Sequence, residues 1–216
     1  MKKIIYILGL IVFCPFFVKA QNSDYKKNEF FVGFSNNQVE ENFPSIENGQ
    51  IVLLEDRRSV NGVEFSAVRN FNRFFGVKGD VSATFSGSKK RTIPFLDAGQ
   101  NFDSYLLKEK KQQYNFLGGV QFKDNAAETR IKPFAHALIG ANLQVDKYEQ
   151  TNCPPILVCS EGILYKSGFA GAFGGGLDIK INNKIDFRAI QFDYNPVNIG
   201  RRNLKNNYRL GIGIVF

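Results

Sequence analysis

Apolar residues recur at every second position in eight separate stretches of this 216-residue chain, a spacing that fits extended strands and not helices. Tyr208 to Phe216, YRLGIGIVF, shows it plainly. Tyr208, Leu210, Ile212, Ile214 and Phe216 share one face, while Asn207, Arg209, Gly211 and Gly213 share the other, and Val215 is the departure. The same alternation predicts strands over Glu29 to Ser35, Gly62 to Asn70, Gly76 to Ser86, Gln113 to Phe122, Pro133 to Val145, Phe169 to Ile181 and Ile185 to Tyr194. In the last of these the apolar phase moves from Ile185 and Phe187 to Ile190, Phe192 and Tyr194, and a β-bulge near Ala189 is the simplest account.

Most of these strands approach the length of about 9 to 11 residues that a tilted strand needs to cross a bilayer. Their connections alternate. They are long from Asn36, tight at Asn70 to Arg73, long from Lys89, shorter at Lys123 to Arg130, long from Asp146 and two residues at Asn182 and Asn183, with a last loop from Pro196. Short turns on one side and long loops on the other are the habit of outer-membrane barrels. A strand in lipid needs backbone partners on both edges, so the sheet is expected to close. The expected fold is all-β: an eight-stranded antiparallel up-and-down transmembrane β-barrel over residues 28–216, with short periplasmic turns and long extracellular loops.

The opening MKKIIYILGLIVFCPFFVKA, with two lysines, an apolar stretch from Ile4 to Val18 and the small residue Ala20, reads as a secretory signal peptide, residues 1–20, cut between Ala20 and Gln21. A short periplasmic segment, 21–27, would follow. Pro15 interrupts the apolar stretch, which is shorter than the roughly 20 residues of a spanning helix. Cleavage removes Lys2, Lys3 and Lys19 and lowers the formal charge from +8 to +5. No basic run interleaved with aromatics points to nucleic acid. Cys153 and Cys159, in CPPILVC, would meet an oxidising compartment and are expected to form a disulfide. Zinc would need more ligands, and the single histidine, His136, lies on another segment. Neither a metal nor a cofactor is expected.

NFNRFFGVKGDVSATFSG, YNFLGGVQF, KPFAHALIGANL, FAGAFGGGLDIKINNKIDFRAIQFDY and NNYRLGIGIVF resemble successive staves of the bacterial outer-membrane β-barrel domain family, related to the OmpA and OmpX barrels. The resemblance covers Asn61 to Phe216, with a weaker likeness at Asn28 to Ser35, and it speaks to fold and location rather than to activity. The segment CPPILVC departs from the pattern. The alternating apolar residues Tyr208, Leu210, Ile212, Ile214 and terminal Phe216 resemble the C-terminal signal read by the outer-membrane assembly machinery. The resemblance implies a monomer in the bacterial outer membrane, in contact with lipid and lipopolysaccharide, and leaves any extracellular partner unnamed.

The inward face collects Glu64, Lys78, Asp80, His136, Asp178, Lys180, Asp193 and Arg209, with Arg188 displaced by the phase slip. An eight-stranded barrel is just wide enough inside for side chains to fill it, so these charges must pair and hydrogen-bond. A salt-bridged plug is the leading reading, with a structural role or one exercised through the loops. A narrow porin-like path for ions or small solutes is the alternative, and a lipid-modifying enzyme built on His136 the third. The glycines of GFAGAFGGGLD lack the strand, turn and helix setting of a phosphate loop and fit tight packing instead. Lys89, Lys90, Arg91, Lys108, Lys110 and Lys111, against Asp97, Asp103 and Glu109, could meet lipopolysaccharide phosphates or be ordinary solvated charge. Arg201, Arg202 and Lys205 add to them, whereas the first loop carries Glu40, Glu41, Glu47, Glu55 and Asp56.

Overall fold

A computed structural model describes residues 25–47, 50–96, 102–126, 129–154, 157–199 and 204–216. The expected signal peptide with its cleavage point at Ala20 and Gln21 lies outside the described residues, as do Asp97, Arg201 and Arg202. The alternating segments become strands β1 (Asn28–Glu47), β2 (Gln50–Asn70), β3 (Phe75–Phe85), β4 (Lys89–Leu96), β5 (Phe102–Lys123), β6 (Ile131–Thr151), β7 (Glu161–Lys180), β8 (Asp186–Ile199) and β9 (Leu204–Val215). Their order in the sheet is β3-β2-β1-β9-β8-β7-β6-β5-β4, and a further β3 to β5 ladder joins its two ends. All neighbours are antiparallel, and the sheet closes into a barrel-like ring.

Nine strands stand where the periodicity predicts eight. β3 and β4 pair with successive parts of β5, Phe75–Phe85 against Gln112–Phe122 and Lys89–Leu96 against Phe102–Glu109. Between them Ser86 N donates to Lys111 O at 2.8 Å, and Ser86 Oγ accepts from Lys111 N at 2.7 Å. Gly87 is thereby pushed out of the ladder. β4 escapes a reading by alternation because it opens on Lys89, Lys90 and Arg91 and contains Pro94.

The long connections are also mostly strand rather than loop. Asn36 to Asn61 is one hairpin in continuous register, from Asn36↔Asn61 to Glu47↔Gln50. β6 and β7 stay paired as far as Glu149↔Glu161. Neither face of these extensions is continuously apolar: Asn36 Nδ2 donates to Asn61 Oδ1 at 2.5 Å and to Ser59 Oγ at 2.7 Å on the outside. The turn expected at Asn182 and Asn183 is longer, spanning Ile181 to Ile185, and Asn182 Oδ1 accepts from the amides of Lys184 and Ile185 at 2.8 Å, as asparagine does in turns.

A bulge sits at Ala189. On β7 the partners step from Leu177↔Ile190 to Asp178↔Arg188, and on β9 from Gln191↔Gly211 to Arg188↔Gly213. One extra residue on β8 keeps Arg188 inside and Ile190 outside. The two faces of the ring are inverted relative to a soluble barrel. Phe169, Ile139 and Ile190 are 59%, 56% and 52% exposed, whereas Glu64, Asp178 and Arg209 are 0% exposed.

Above the closed ring the sheet splits. β1 pairs with β9 only from Phe31 to Gln38, and β2 with β3 only from Asn61 to Asn70. The β1–β2 ribbon therefore rises separately from the sheet formed by β4, β5, β6 and β7. We call this the hairpin end and the opposite one the turn end.

Candidate functional site

At the turn end of the lumen, strand alternation points Glu29, Lys123, Asp178 and Arg188 at one another, all buried. Lys123 Nζ bridges Glu29 and Asp178, the latter at 2.8 Å. Arg188 donates to Asp178 from Nε at 2.8 Å and from Nη2 at 3.1 Å. Its guanidinium lies between the rings of Phe31 and Phe134, 4.3 and 4.1 Å from their centroids, a stacking geometry suited to arginine. Gly176 lies tightly against this sandwich, where a Cβ would collide with the Ile190 carbonyl oxygen and come within 2.9 Å of the Phe134 ring. Beside it Lys132 Nζ meets Asp186 at 3.0 Å, and Lys26 approaches the same carboxylate at 3.5 Å.

The middle of the lumen is organised by Arg209. Its Nη1 donates to Asp80 Oδ1 at 2.9 Å and its Nε to Asp193 Oδ2 at 2.8 Å, and Glu64 Oε2 stands 3.6 Å away. His136 Nε2 faces Asp193 at 2.9 Å, while Lys78 Nζ lies 3.4 Å from His136 Nδ1 and 4.0 Å from Asp80. Gln191 ties the two clusters together. Its Nε2 donates to Glu64 and Asp193 at 2.9 and 2.8 Å, and its Oε1 accepts from Arg188 at 2.7 Å. On the hairpin side the charges give way, along the wall formed by β5, β6, β7 and β8, to an apolar layer of Leu117, Leu138, Ala170, Ala172 and Val197 beside the buried polar side chains of Ser82, Asn115, Asn142 and Asn195.

Of the inward residues named from sequence, Glu64, Lys78, Asp80, His136, Asp178, Asp193 and Arg209 are buried, and all but Asp178 form the Arg209 cluster. Lys180, at the last position of β7, is half-exposed. Sequence reasoning missed Glu29, Lys123, Lys132 and Asp186, although each shares the inward parity of its strand and only strand-end position hid it. His136 has Lys78 and Asp193 as polar partners, and among the described residues no hydroxyl or thiol hydrogen-bonds to its ring, as a nucleophile paired with it would.

At the hairpin end Glu41 gathers three cations: Lys111 Nζ at 2.5 Å, Arg91 Nη2 at 2.6 Å and Arg58 Nη1 at 3.6 Å. Burial pushes the Glu41 carboxyl up, but Lys111, Arg91 and Arg58 together hold it below the usual range. On the outer wall Lys108, Lys110 and Lys147 line a cleft of about 420 Å³ with Tyr148, Glu149 and Ile163. Lys110 and Lys147 are directly opposed in register, and Lys108 is satisfied by Glu149 at 2.8 Å. Cys153 and Cys159 are joined in a disulfide at the β6–β7 tip, where Asn152 takes a left-handed conformation (φ 55°). At the turn end Arg73 grips Asp124 through Nε at 2.6 Å and Nη2 at 2.7 Å.

No family model matches this sequence, and no curated protein matches it. Among solved structures the chain is similar to Ail, the attachment invasion locus protein of Yersinia pestis, at 18% identity over 88% of this chain and 97% of that one, with a TM-score of 0.52. Weaker likenesses are to OprG of Pseudomonas aeruginosa (10% identity, 91% and 98% covered, TM-score 0.42) and to Neisserial surface protein A (12%, 86% and 95%, TM-score 0.38). At such identities the likeness to Ail is one of fold.

Proposed function

We propose that the chain is an integral protein of the bacterial outer membrane, a monomeric barrel of eight staves in which β3 and β4 count as one. Its role is structural or one of surface interaction through its extracellular hairpins, and it is not an enzyme. The observation that carries this reading is the inversion of polarity. A continuous ring of exposed phenylalanine, isoleucine, valine and leucine surrounds a lumen filled with ion pairs, far more apolar surface than a soluble monomer tolerates. Hydrocarbon is the medium that accepts such a wall.

The dimensions agree with it. Along β3 the outward aromatics Phe75 and Phe85 mark the ends of the apolar face; ten residue steps of about 3.3 Å, tilted by about 40°, give a band of about 25 Å. Phe75 packs on Phe122 at 5.3 Å at the turn end and Phe85 on Tyr114 at 6.1 Å at the hairpin end, in keeping with two aromatic girdles. Lys108, Lys110 and Lys147 then stand at headgroup height, where lipopolysaccharide phosphates would relieve the opposed pair Lys110 and Lys147. The turn end faces the periplasm, and Tyr208, Leu210, Ile212, Ile214 and Phe216 serve as the assembly signal.

The paired charges and the apolar layer argue for a plug rather than a pore. Fractionation with a heat-modifiable gel assay tests the location: the protein is expected in the outer-membrane fraction, with a mobility that changes only on boiling in detergent, and recovery in the soluble periplasm would refute it. Planar-bilayer recording tests the plug. Absence of conductance steps is expected; steps that vanish when Lys78 and Asp80 are neutralised together would replace the plug with a pore. Unchanged lipid A in cells carrying His136→Ala is expected of a non-catalytic barrel, and a lost modification would restore the enzyme reading.

A further inference from the structure

Beyond the apolar layer, the inward positions at the hairpin end carry unbalanced charge. Asp56 takes Lys89 at 2.6 Å and shares Arg91 at 3.1 Å, and Asp146 takes Lys166 at 2.8 Å. Two cations are less well matched: Arg58 shares Glu41 with Lys111 and Arg91, and Lys205 reaches no carboxylate among the described residues. Arg58 is 5% exposed, donates from Nη2 to the carbonyls of Gly87 and Glu109 at 2.6 and 3.1 Å, and makes no hydrogen bond from Nη1. Lys205 is half-buried, and among the described residues its Nζ donates to the carbonyl of Glu40 at 3.2 Å and to no carboxylate. Glu40 itself points outward and accepts from the amide of Asn206 at 3.0 Å.

Strand parity places Lys89, Arg91, Lys111, Lys166, Lys205 and Arg58 on the inner face around Glu41, Asp56, Glu109 and Asp146, while Glu47 and Asp103 share that parity farther out, at Glu47↔Gln50 and Phe95↔Asp103. Within the mouth itself two positive charges remain. Burial and then the like charges of Lys111 and Lys166 hold the Lys205 ammonium below its ordinary range, against the pull of Glu41. A surplus of charge in a half-buried mouth is unfavourable and is relieved by a counter-ion.

We propose that this mouth binds one small tetrahedral oxyanion of the phosphate class, held by the Lys205 ammonium and the Arg58 guanidinium with Lys111 beside them. Guanidinium and ammonium donors give such an anion charge-assisted hydrogen bonds. Leu117, Leu138, Ala170, Ala172 and Val197, with the buried amides of Asn115, Asn142 and Asn195, fill the lumen beneath it. The donors face the lumen, so the anion is a free one and not a lipid headgroup on the outer wall.

The test is calorimetric titration of inorganic phosphate into the folded, disulfide-closed protein in octyl glucoside at constant ionic strength. One saturable site is expected, weakened at least ten-fold by Lys205→Met, tightened by Glu41→Gln, which removes the competing carboxylate, and unchanged by Lys110→Met. Heat-modifiable mobility checks that each variant is folded, and Lys205→Gln replaces Lys205→Met should the latter fail. No saturable binding, equal binding in the Lys205 variants, or weaker binding in Glu41→Gln would overturn the proposal. Loss in Lys110→Met would move the phosphate to the outer wall and to a lipid source. Binding is read in detergent, so it can fail while the outer-membrane location stands, and the reverse also holds.

Discussion

The middle of the lumen and its hairpin end are both built from ion pairs, yet they obey different rules. In the middle, Asp80, Asp193 and Glu64 surround Arg209, and toward the turn end Asp178 is shared by Lys123 and Arg188, so each of these fully buried charges has an opposite charge within 4.0 Å. At the hairpin end, Glu41 answers three cations and shares one of them, Arg91, with Asp56, and Lys205 has only a carbonyl. The difference follows depth. Complete burial leaves no solvent to compensate an unpaired ion, whereas a half-exposed mouth tolerates a surplus that water or a counter-ion screens. Stringent pairing therefore marks the part of the lumen that holds the barrel together, and loose pairing the part that is free to bind.

The largest expected effect separates these two regions. Arg209→Met removes the cation shared by three buried carboxylates and should cost about 3–5 kcal/mol in guanidinium unfolding of the micelle-bound protein, while Lys205→Met, which removes surplus charge, should leave stability unchanged or raised. Equal losses would erase the distinction. Next, Ile212→Arg on the outer wall should cost about 2–4 kcal/mol, against about 0–1 kcal/mol for Leu204→Arg, which lies beyond the apolar band; refolding titrations into bilayers measure both. Opening the Cys153–Cys159 link with paired serines should cost at most about 2 kcal/mol and show as protease cleavage at the β6–β7 tip, with the barrel intact. The smallest effect is at the turn end. Arg73 holds the Asp124 carboxyl down to about 2 through its hydrogen bond, so the stabilisation is full above the ordinary carboxylate pKa and is lost as pH falls through about 2. A carboxyl-carbon NMR titration should show this, and Arg73→Gln should return Asp124 toward its ordinary value.

The fold could be read where one face of a strand is oily. Ile212, Ile214, Phe173 and Val81 announce their strands by period, and the slip at Ala189 announces a bulge because it reverses that period. Outside the apolar band the signal fails. Asn36, Gln38, Ser59 and Asn61 are outward yet polar, so the β1–β2 extension looks like loop, and KKRTIPFL gives no alternation by which to see β4. The candidate site divides the same way. Parity put Glu64, Lys78 and Arg209 on a common side because greasy neighbours flank them. Glu41 and Lys111 read as loop charge and Arg58 carries no signal of its own, and only the pairing of β1 with β2 and of β5 with β6 turns them inward.

The central claim is that oily side chains face hydrocarbon while the lumen is shut off from it, and two phenylalanines on facing strands test it. Phe173 points outward and is 45% exposed, whereas Phe134 points inward and is 5% exposed. The sequence has no tryptophan, so Phe173→Trp and Phe134→Trp each carry a single reporter. In bilayers with brominated acyl chains, Trp fluorescence should be strongly quenched in Phe173→Trp and nearly untouched in Phe134→Trp. Equal quenching, or quenching of the Phe134 variant alone, would contradict the arrangement.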